Sequence, residues 1–237
     1  MNNMVSDFHS HILPRIDDGS GSVAESVAML RQTWEQGIGH MVATPHFYPR
    51  YDNPEDFFRK RDRAVALLQE EISKESALPQ VSIGAEVHYF KGIGASDVVP
   101  RLTIGSKRCI LIEMPHSPWT PAMYRELEEI WLQWGITPII AHVDRYIAPF
   151  HTHGIPERLK DLPVLVQANA SFFLDRRTGS MALRMLKNGH IHLLGSDCHN
   201  LTSRCPNLGP AVDKIRTRLG QQAIDRICAI EREVWNK

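Results

Sequence analysis

The feature that most constrains the fold is the alternation of seven short apolar runs with longer segments of helical periodicity. Near-continuous apolar runs such as Ile110–Ile112 and Pro138–Ala141 are typical of parallel strands that are covered on both faces. Strands that alternate with helices form βα units around a parallel sheet. We therefore predict an α/β fold, either a barrel slightly smaller than a (β/α)8 barrel or a doubly wound open sheet. The predicted strands are Val5–His9, His40–Pro45, Val81–Val87, Cys109–Met114, Thr137–His142, Val164–Ala168 and His192–Ser196.

Capping signals mark where the intervening helices begin and end. Ser22 and Glu25 have the spacing of a capping box, and Gly37 is a stop signal beyond the same helix. Asn53-Pro54 and Thr120-Pro121 each place a capping residue before a proline at the first helical position. Further helices are predicted over Gly179–Lys187 and over two segments after Asn207.

Composition excludes several classes of protein. The 237 residues contain 27 basic and 27 acidic side chains, so the chain has no net charge to attract nucleic acid. No apolar run is long enough to span a membrane, and the segment Met1–Asp7 lacks the features of a signal peptide. A cytoplasmic protein is therefore expected. The four cysteines form no CxxC pair, which argues against a structural zinc site, whereas the count of 12 histidines is high.

Side chains that can bind metal ions follow almost every predicted strand. Any one of them alone would usually be a solvated loop residue or a helix cap. Ligand-type residues at six of the seven predicted strand ends are, however, more than chance would place there. In the extended segment His9-Ser10-His11 the two imidazoles point to the same face. A barrel brings the carboxyl ends of its strands together, whereas an open sheet spreads them along a line, so we favour the barrel. The strand-end residues are His9, His11, His46, Glu86, Glu113, His142, Asp197 and His199.

The mixture of ligand types narrows the chemistry. Carboxylates and imidazoles without thiolates suit Mn²⁺, Zn²⁺ or Fe²⁺ at more than one site. Several metal ions together are suited to hydrolysis of phosphate esters. Arg145 and Arg204 lie close in sequence to His142 and His199, and guanidinium groups bind phosphate oxygens in a two-pronged way.

The sequence resembles the PHP (polymerase and histidinol phosphatase) superfamily. Within it, the chain is most similar to the bacterial metal-dependent protein tyrosine phosphatases that are encoded with capsular or exopolysaccharide genes. Six ordered motifs from Asp7 to about Arg204 carry the resemblance. They are Asp7–Gly19, Ala43–His46, Gly84–Glu86, Leu111–Glu113, Ala141–Tyr146 and Gly195–Asn200.

This resemblance implies a single domain over residues 1–237 with a distorted (β/α)7 barrel and three divalent metal ions, with Mn²⁺ preferred over Zn²⁺ or Fe²⁺. It implies that Glu86 bridges two ions and that Asp18, rather than Asp17, is a ligand. It divides the other ligands into His9, His11 and Asp197 at one site, Glu113 and His142 at the second, and Asp18, His46 and His199 at the third.

The reaction implied by the resemblance is hydrolysis of phosphotyrosine on a protein by a metal-bound hydroxide. Arg145 and Arg204 would bind the phosphate, although Val143 and Asp144 replace the Pro and Glu that are usual in the fifth motif. The expected partner is a tyrosine-phosphorylated protein, such as a bacterial tyrosine autokinase of polysaccharide export. No nucleic acid and no membrane insertion are expected.

Three alternatives remain open at the level of sequence. Cys198 and Arg204 satisfy the C-x5-R pattern of cysteine-dependent tyrosine phosphatases, although the intervening loop has no glycine. A small-molecule phosphoesterase, such as histidinol-phosphate phosphatase, would have the same metal site. A third alternative is a non-enzymatic, metal-binding regulatory domain. The segment His116–Trp119 follows the fourth strand and has no assigned role.

Overall fold

The computed structural model describes residues 4–105, 108–147 and 154–236. Every strand pairing among these residues is parallel. The strands are β1 (Ser6–Ser10), β2 (His40–Ala43), β3 (His46–Phe47), β4 (Gln80–Ile83), β5 (Glu86–His88), β6 (Cys109–Glu113), β7 (Thr137–Ile140), β8 (Leu165–Asn169) and β9 (Leu193–Gly195).

The helices alternate with these strands, as the sequence predicts. Two short 3-10 helices, Ile93–Ala95 and Val99–Leu102, precede β6. No helix among the described residues combines the length and apolarity needed to cross a bilayer. The α-helices are α1 (Val23–Glu35), α2 (Pro54–Ile72), α3 (Pro121–Trp134), α4 (Asp144–Ile147), α5 (Ile155–Lys160), α6 (Ala170–Leu174), α7 (Gly179–Lys187), α8 (Leu208–Leu219) and α9 (Gln221–Asn236).

The nine strands within the described ranges occupy seven positions around a curled sheet. One sheet has the order β1-β2-β4 and the other the order β3-β5-β6-β7-β8-β9. Thr44-Pro45 separates β2 from β3, and Gly84-Ala85 separates β4 from β5, so two of the predicted strands are each broken into two. A proline has no N–H to donate to a sheet, which accounts for the break at Pro45.

Hydrogen bonds between β1 and the segment after β9 close the sheet. The Asp197 N–H donates to the His9 carbonyl at 2.8 Å, and the His11 N–H donates to the Cys198 carbonyl at 2.9 Å. The last strand position is therefore joined to the first. The prediction of a distorted (β/α)7 barrel is confirmed, and the open sheet is excluded.

Alternating strand residues build two apolar layers. Leu111, Ile139 and Leu193 belong to an inner cluster, whereas their chain neighbours Ile112 and Ile140 pack in the larger core that includes residues of the helices. Helix α9 completes the inner cluster with Val234, and its Trp235 ring stacks on the Phe8 ring at 5.0 Å between centroids. The inner cluster leaves the carboxyl ends of the strands to polar side chains.

The predicted helix starts are largely confirmed. Ser22 caps α1 by accepting a hydrogen bond from the Glu25 N–H at 3.1 Å, and Asn53 caps α2 in the same way through the Glu55 N–H at 3.0 Å. The capping box at α1 is only half formed, because the Glu25 carboxylate accepts from the Gly21 N–H instead of that of Ser22. The donor N–H is therefore one residue earlier in the loop than the spacing predicts.

Candidate metal centre

The carboxyl ends of the strands bring all nine predicted ligands to one end of the barrel. His46 and Glu86 lie in β3 and β5, the short second pieces of the two broken strands, and the other predicted ligands lie in the last residues of a strand or in the loop that follows it. Most of them are buried, whereas Asp18 is 65% exposed and His46 is 14% exposed. Burial of this many titratable groups is unusual outside functional sites.

Glu86 lies at the middle of the cluster. Its Oε2 atom is 3.1 Å from His9 Nε2, 3.3 Å from His11 Nε2 and 3.0 Å from His46 Nδ1. Its Oε1 atom accepts a hydrogen bond from His142 Nε2 at 2.8 Å. One carboxylate thus contacts four imidazoles.

The remaining carboxylates surround this centre. Asp197 Oδ1 lies 3.5 Å from the Nε2 atoms of both His9 and His11. Glu113 Oε1 lies 3.6 Å from His142 Nε2. These distances bring together the side chains that the family resemblance would assign to the first and second sites.

Asp18 forms a separate group at the rim of the cluster. Its Oδ1 atom is 3.4 Å from His46 Nε2 and 3.4 Å from His199 Nε2. These three side chains and His11 each offer a ligand atom, and all four atoms lie within 4.8 Å of one another. The same limit also groups His9, His11 and Glu86, and His46, Glu86 and Glu113, so some residues fall in two groups.

Backbone strain and a glycine help to place the ligands. His142 and Asp197 have φ angles of 30° and 54°, which bend the chain as their strands end. A Cβ atom on Gly195 would lie 2.6 Å from His9 Cβ and 2.7 Å from Gln167 Nε2. Gly195 therefore allows β9 to approach β1 closely enough for Asp197 to reach His9.

Buried polar side chains behind the ligands hold them in orientation. Asp17 Oδ2 lies 2.8 Å from His11 Nδ1, which turns His11 Nε2 toward the cluster. Gln167 Oε1 accepts from the His142 N–H at 2.6 Å and lies 3.4 Å from His9 Nδ1. The Asn169 side-chain amide donates to Asp197 Oδ2 at 3.1 Å.

The sequence alone does not predict the roles of Asp17, Gln167 and Asn169. From the sequence, Asp17 is only a rival ligand to Asp18, whereas the structure gives the two adjacent carboxylates different neighbours. Gln167 and Asn169 are two residues apart on β8 and so face the same side of the strand, which was the available signal.

The pKa values of the clustered side chains reflect how closely these groups are packed. Burial alone would raise the pKa of the Glu86 carboxyl, but the surrounding imidazoles hold that pKa well below its usual range. Burial would lower the pKa of His11, but Asp17, Asp197 and Glu86 raise it well above its usual value. Burial and the charge of His11 lower the pKa of His199 to about 4. Carboxylates and ring nitrogens thus share protons within one cluster.

The donor set fits divalent metal ions. Glu86 Oε2 and His199 Nε2 are buried and make no hydrogen bond within the described part of the chain, although both face other ligand-type atoms. Two imidazole Nε2 atoms, on His9 and His11, approach each other to 3.1 Å, where at most one of them can carry a proton. Divalent ions replace such shared protons when they bind.

Two arginines stand at the edge of the cluster. Arg145 Nη2 donates to Asp197 Oδ2, and its Nη1 atom lies 3.7 Å from Glu113. Arg204 Nη2 donates to Asp197 Oδ1 at 2.8 Å. Their side chains are 33% and 39% exposed, so the guanidinium groups lie between the buried carboxylates and solvent.

Cys198 has a different environment from the arginines. Its side chain is fully buried and belongs to the apolar cluster that contains Ile12 and Leu13. Burial raises the pKa of its thiol well above the usual value. A cysteine nucleophile needs a lowered pKa and access to substrate, so this geometry argues against the cysteine-dependent alternative.

The segment after β6 packs behind the centre. Trp119 is buried, and its ring meets the Tyr146 ring edge to face at 5.1 Å. The Tyr146 hydroxyl accepts from the Met114 N–H at 2.8 Å, next to Glu113. The part of the His116–Trp119 segment that includes Trp119 therefore supports the fourth strand end.

Comparison with known proteins agrees with this geometry. A family described as capsular polysaccharide synthesis, CpsB/CapC, matches residues 5–233. The chain belongs to the CpsB/CapC family. Among its relatives, the tyrosine-protein phosphatase YwqE of Bacillus subtilis is 30% identical over 208 residues, which cover 84% of this chain and 78% of that protein. The tyrosine-protein phosphatase CpsB of Streptococcus pneumoniae is 29% identical over 229 residues, which cover 90% of each chain.

Solved structures show the same fold. A chain from the crystal structures of YwqE and CpsB, described as unique metal-dependent tyrosine phosphatases, matches with a TM-score of 0.79 at 24% identity, over 93% of this chain and 90% of that one. A phosphotriesterase homology protein from Escherichia coli, complexed with phosphate in its active site, matches with a TM-score of 0.55 at 12% identity over 98% and 99% of the two chains. The CpsB/CapC chain therefore shares its fold with this more distantly related protein.

Proposed function

We propose that this CpsB/CapC family member is a metal-dependent protein tyrosine phosphatase. The observation that carries the proposal is the convergence of nine ligand-type side chains and two arginines at one end of the barrel. Relatives of the chain are named tyrosine-protein phosphatases, which supports the same reaction here.

The proposed cofactor is a set of three divalent metal ions, with Mn²⁺ as the preferred ion. Glu86 would join two sites, one completed by His9, His11 and Asp197 and the other by Glu113 and His142. The third group would be Asp18, His46 and His199. Bound divalent ions would supply an activated water near neutral pH and neutralise charge on the phosphoryl group.

The side chains of the protein perform the remaining steps. Arg145 and Arg204 would turn from Asp197 toward the phosphate and hold two of its oxygens by charge-assisted hydrogen bonds. The leaving phenolate needs no strong acid, because a phenol has a pKa of about 10. Asp17, Gln167 and Asn169 would keep the ligands in place while the phosphoryl group moves.

The biological setting of the proposal follows the family. We propose that the substrate is a tyrosine-phosphorylated protein of polysaccharide synthesis or export, such as a tyrosine autokinase. We also propose that residues 1–237 act as one phosphatase domain and that the protein works in the cytoplasm. The family description, capsular polysaccharide synthesis, supports the first of these statements.

A comparison of substrates on one preparation tests the function. The Mn²⁺-loaded protein is expected to hydrolyse a phosphotyrosine peptide faster than a phosphoserine peptide or histidinol phosphate, and EDTA is expected to abolish the activity. Preference for histidinol phosphate would favour the small-molecule phosphoesterase instead. Absence of turnover on all three substrates would favour a regulatory metal-binding domain.

Cys198→Ser separates the metal-dependent mechanism from the cysteine-dependent one. We expect this variant to retain most of its activity, because the thiol is buried in an apolar cluster. Loss of activity in a variant that stays folded and metal-loaded, together with resistance of the wild type to EDTA, would reverse the assignment.

A further inference from the structure

A cleft lined by aromatic side chains opens beside the metal centre. Its volume is about 480 Å³, and we call it the aromatic cleft. Arg50 stands at the same cleft, with its guanidinium 5.6 Å from the centre of the Tyr51 ring. The other residues of the cleft are Tyr48, Pro49, Tyr51, His88, Tyr89 and Phe90.

The inner walls of the aromatic cleft touch the proposed metal ligands. The Tyr48 ring stacks on the His46 ring with 5.0 Å between centroids. His88 Nδ1 lies 3.1 Å from Glu113 Oε2, and the His88 ring is 5.7 Å from the Tyr48 ring. The cleft is therefore continuous with the side of the centre that is formed by β3, β5 and β6.

The aromatic cleft and the two arginines lie at different parts of the rim. Arg145 follows β7 and Arg204 follows β9, whereas Tyr48 and His88 lie at the ends of β3 and β5. A phosphate held by the arginines and the centre would leave the aromatic cleft open to the group attached to its fourth oxygen.

Backbone and side-chain hydrogen bonds hold both walls in place. The Tyr48 N–H donates to Asp52 at 2.7 Å, and the Asp52 N–H returns to the Tyr48 carbonyl at 2.8 Å. On the other side, the Tyr89 N–H donates to the Glu113 carbonyl at 2.8 Å, and its hydroxyl donates to Glu126 at 2.8 Å. A preformed cleft costs a ligand less ordering than a mobile one.

We propose that the aromatic cleft binds the phenyl ring of the phosphotyrosyl side chain, with Tyr48 and His88 as the walls nearest the phosphate. The inference rests on the proposed phosphatase function and explains how the phosphatase selects its substrate. Aromatic rings attract one another in offset or edge-to-face arrangements. A phosphoserine side chain has no ring to fill the cleft, so the cleft favours tyrosine over serine as the bearer of the phosphate.

Binding of two phosphonates that cannot be hydrolysed tests the proposal. On the Mn²⁺-loaded protein, phenylphosphonate is expected to bind more tightly than methylphosphonate. Tyr48→Leu is expected to reduce this preference about 3- to 10-fold, the worth of one aromatic contact, while methylphosphonate binding changes less than about 2-fold. Tyr48→Phe keeps the ring and should retain the preference.

Turnover gives a second measurement on the same variants. In Tyr48→Leu the KM for a phosphotyrosine peptide should rise about 3- to 10-fold, the same factor by which the preference for phenylphosphonate falls, with kcat nearly unchanged. Tyr51→Ala, at the exposed outer wall, should show a smaller rise, and Leu132→Ala on the exposed face of α3 should show none.

The outcomes separate the two proposals. Equal binding of both phosphonates to the wild type, or equal weakening of both in Tyr48→Leu, would overturn the role of the aromatic cleft. Absence of phosphotyrosine turnover in the wild type would instead overturn the phosphatase function, whatever the phosphonates show.

Discussion

The two ends of the barrel bury titratable carboxyl groups in opposite ways. At the carboxyl end, Glu86 contacts four imidazoles, and its Oε2 atom makes no hydrogen bond with any residue that the structure describes. At the amino end, Glu231 of α9 is also buried, but both of its oxygens lie 3.1 Å from the Ser6 N–H, and one also accepts from the Ser6 hydroxyl. The first carboxylate is arranged to bind something more, whereas the second is satisfied by the fold.

Backbone conformation and side-chain packing show the same contrast between the two ends. His142 and Asp197 at the carboxyl end adopt positive φ angles, and three polar side chains form hydrogen bonds to the proposed ligands from behind. At the amino end, His40 stacks on Trp235 at 4.0 Å between ring centroids, next to the packing of α9 against Phe8. In barrels of this type, polar groups at the carboxyl ends of strands serve function and those at the other end serve stability. Matched substitutions at the two ends test this division.

The largest effect is expected from the same substitution made at the two ends. Glu86→Gln removes the central carboxylate, so bound metal and phosphotyrosine turnover should fall by more than the 10- to 100-fold typical of residues behind the ligands. Glu231→Gln should leave both unchanged near neutral pH. Metal content by elemental analysis and kcat/KM measure the outcome. Full metal binding by Glu86→Gln would remove Glu86 from the centre.

The next effect concerns the close approach of β9 to β1. Gly195→Ala would place a methyl group against His9 and Gln167, so the strands must separate or His9 must move. We expect a loss of about 1–3 kcal/mol of unfolding free energy, as for other overpacked cores, together with weaker metal binding. Thermal unfolding and metal titration measure these quantities.

Gly21→Ala is the matched control for that substitution. Its added Cβ would meet only the Glu25 carboxylate at 3.4 Å, an ordinary contact distance, and should change neither quantity. Equal effects of the two alanines would show that the spacing between β9 and β1 is not what places His9.

The sequence predicts the strands and most of the site residues, because their signals lie in residues that are neighbours along the chain. The seven strand positions follow from apolar runs, and the strand ends locate eight ligand candidates because parallel strands finish at one end of a barrel. The ninth, Asp18, came from family resemblance alone. It lies in the loop after β1, where periodicity gives no signal, and the structure places its carboxylate 3.4 Å from His46 and His199.

The features that the sequence did not predict depend on contacts between distant residues. The role of Gln167 depends on β1 and β7, which lie far from it in the chain, and a neutral amide does not resemble a metal ligand. The inner cluster is closed by Val234 and Trp235 of α9, about 225 residues after β1, and helical periodicity alone does not say which end of a barrel a helix covers.

A smaller effect is expected from Gln167, which acts through the ligands. Gln167→Leu removes the acceptor that faces the His142 N–H and the His9 ring, so both ligands lose an orienting contact. We expect metal affinity to fall about 10-fold, at the low end of the usual range for such residues. Gln80→Leu, at the exposed amino end of β4, is the matched control and should leave metal affinity unchanged. Similar losses in both variants would contradict an orienting role.

The smallest effect is a dependence of stability on pH that is specific to the amino end. Burial raises the pKa of the Glu231 carboxyl from 4.5 to about 8, while hydrogen bonds from Ser6 oppose the rise. Burial likewise raises the pKa of Asp7 to about 6. Because the folded protein holds these protons more tightly than the unfolded chain, the stabilisation is complete below pH 4.5 and is lost as the pH rises through 8.

Glu231→Gln isolates this contribution, because the amide can keep contacts with Ser6 and does not ionise. The free energy of unfolding of the wild type should fall relative to the variant between pH 6.5 and 8, by at most about 1.4 kcal/mol per pH unit for one proton. The histidines are common to both proteins, so their titration largely cancels in the difference. Asp7, whose pKa is raised to about 6, titrates mainly below this range, and its charge contributes to the raised pKa of Glu231. Denaturant unfolding at three pH values measures that difference. Parallel curves would mean that Glu231 is already ionised in the folded protein, and the two ends of the barrel would then bury their carboxylates in the same charged form.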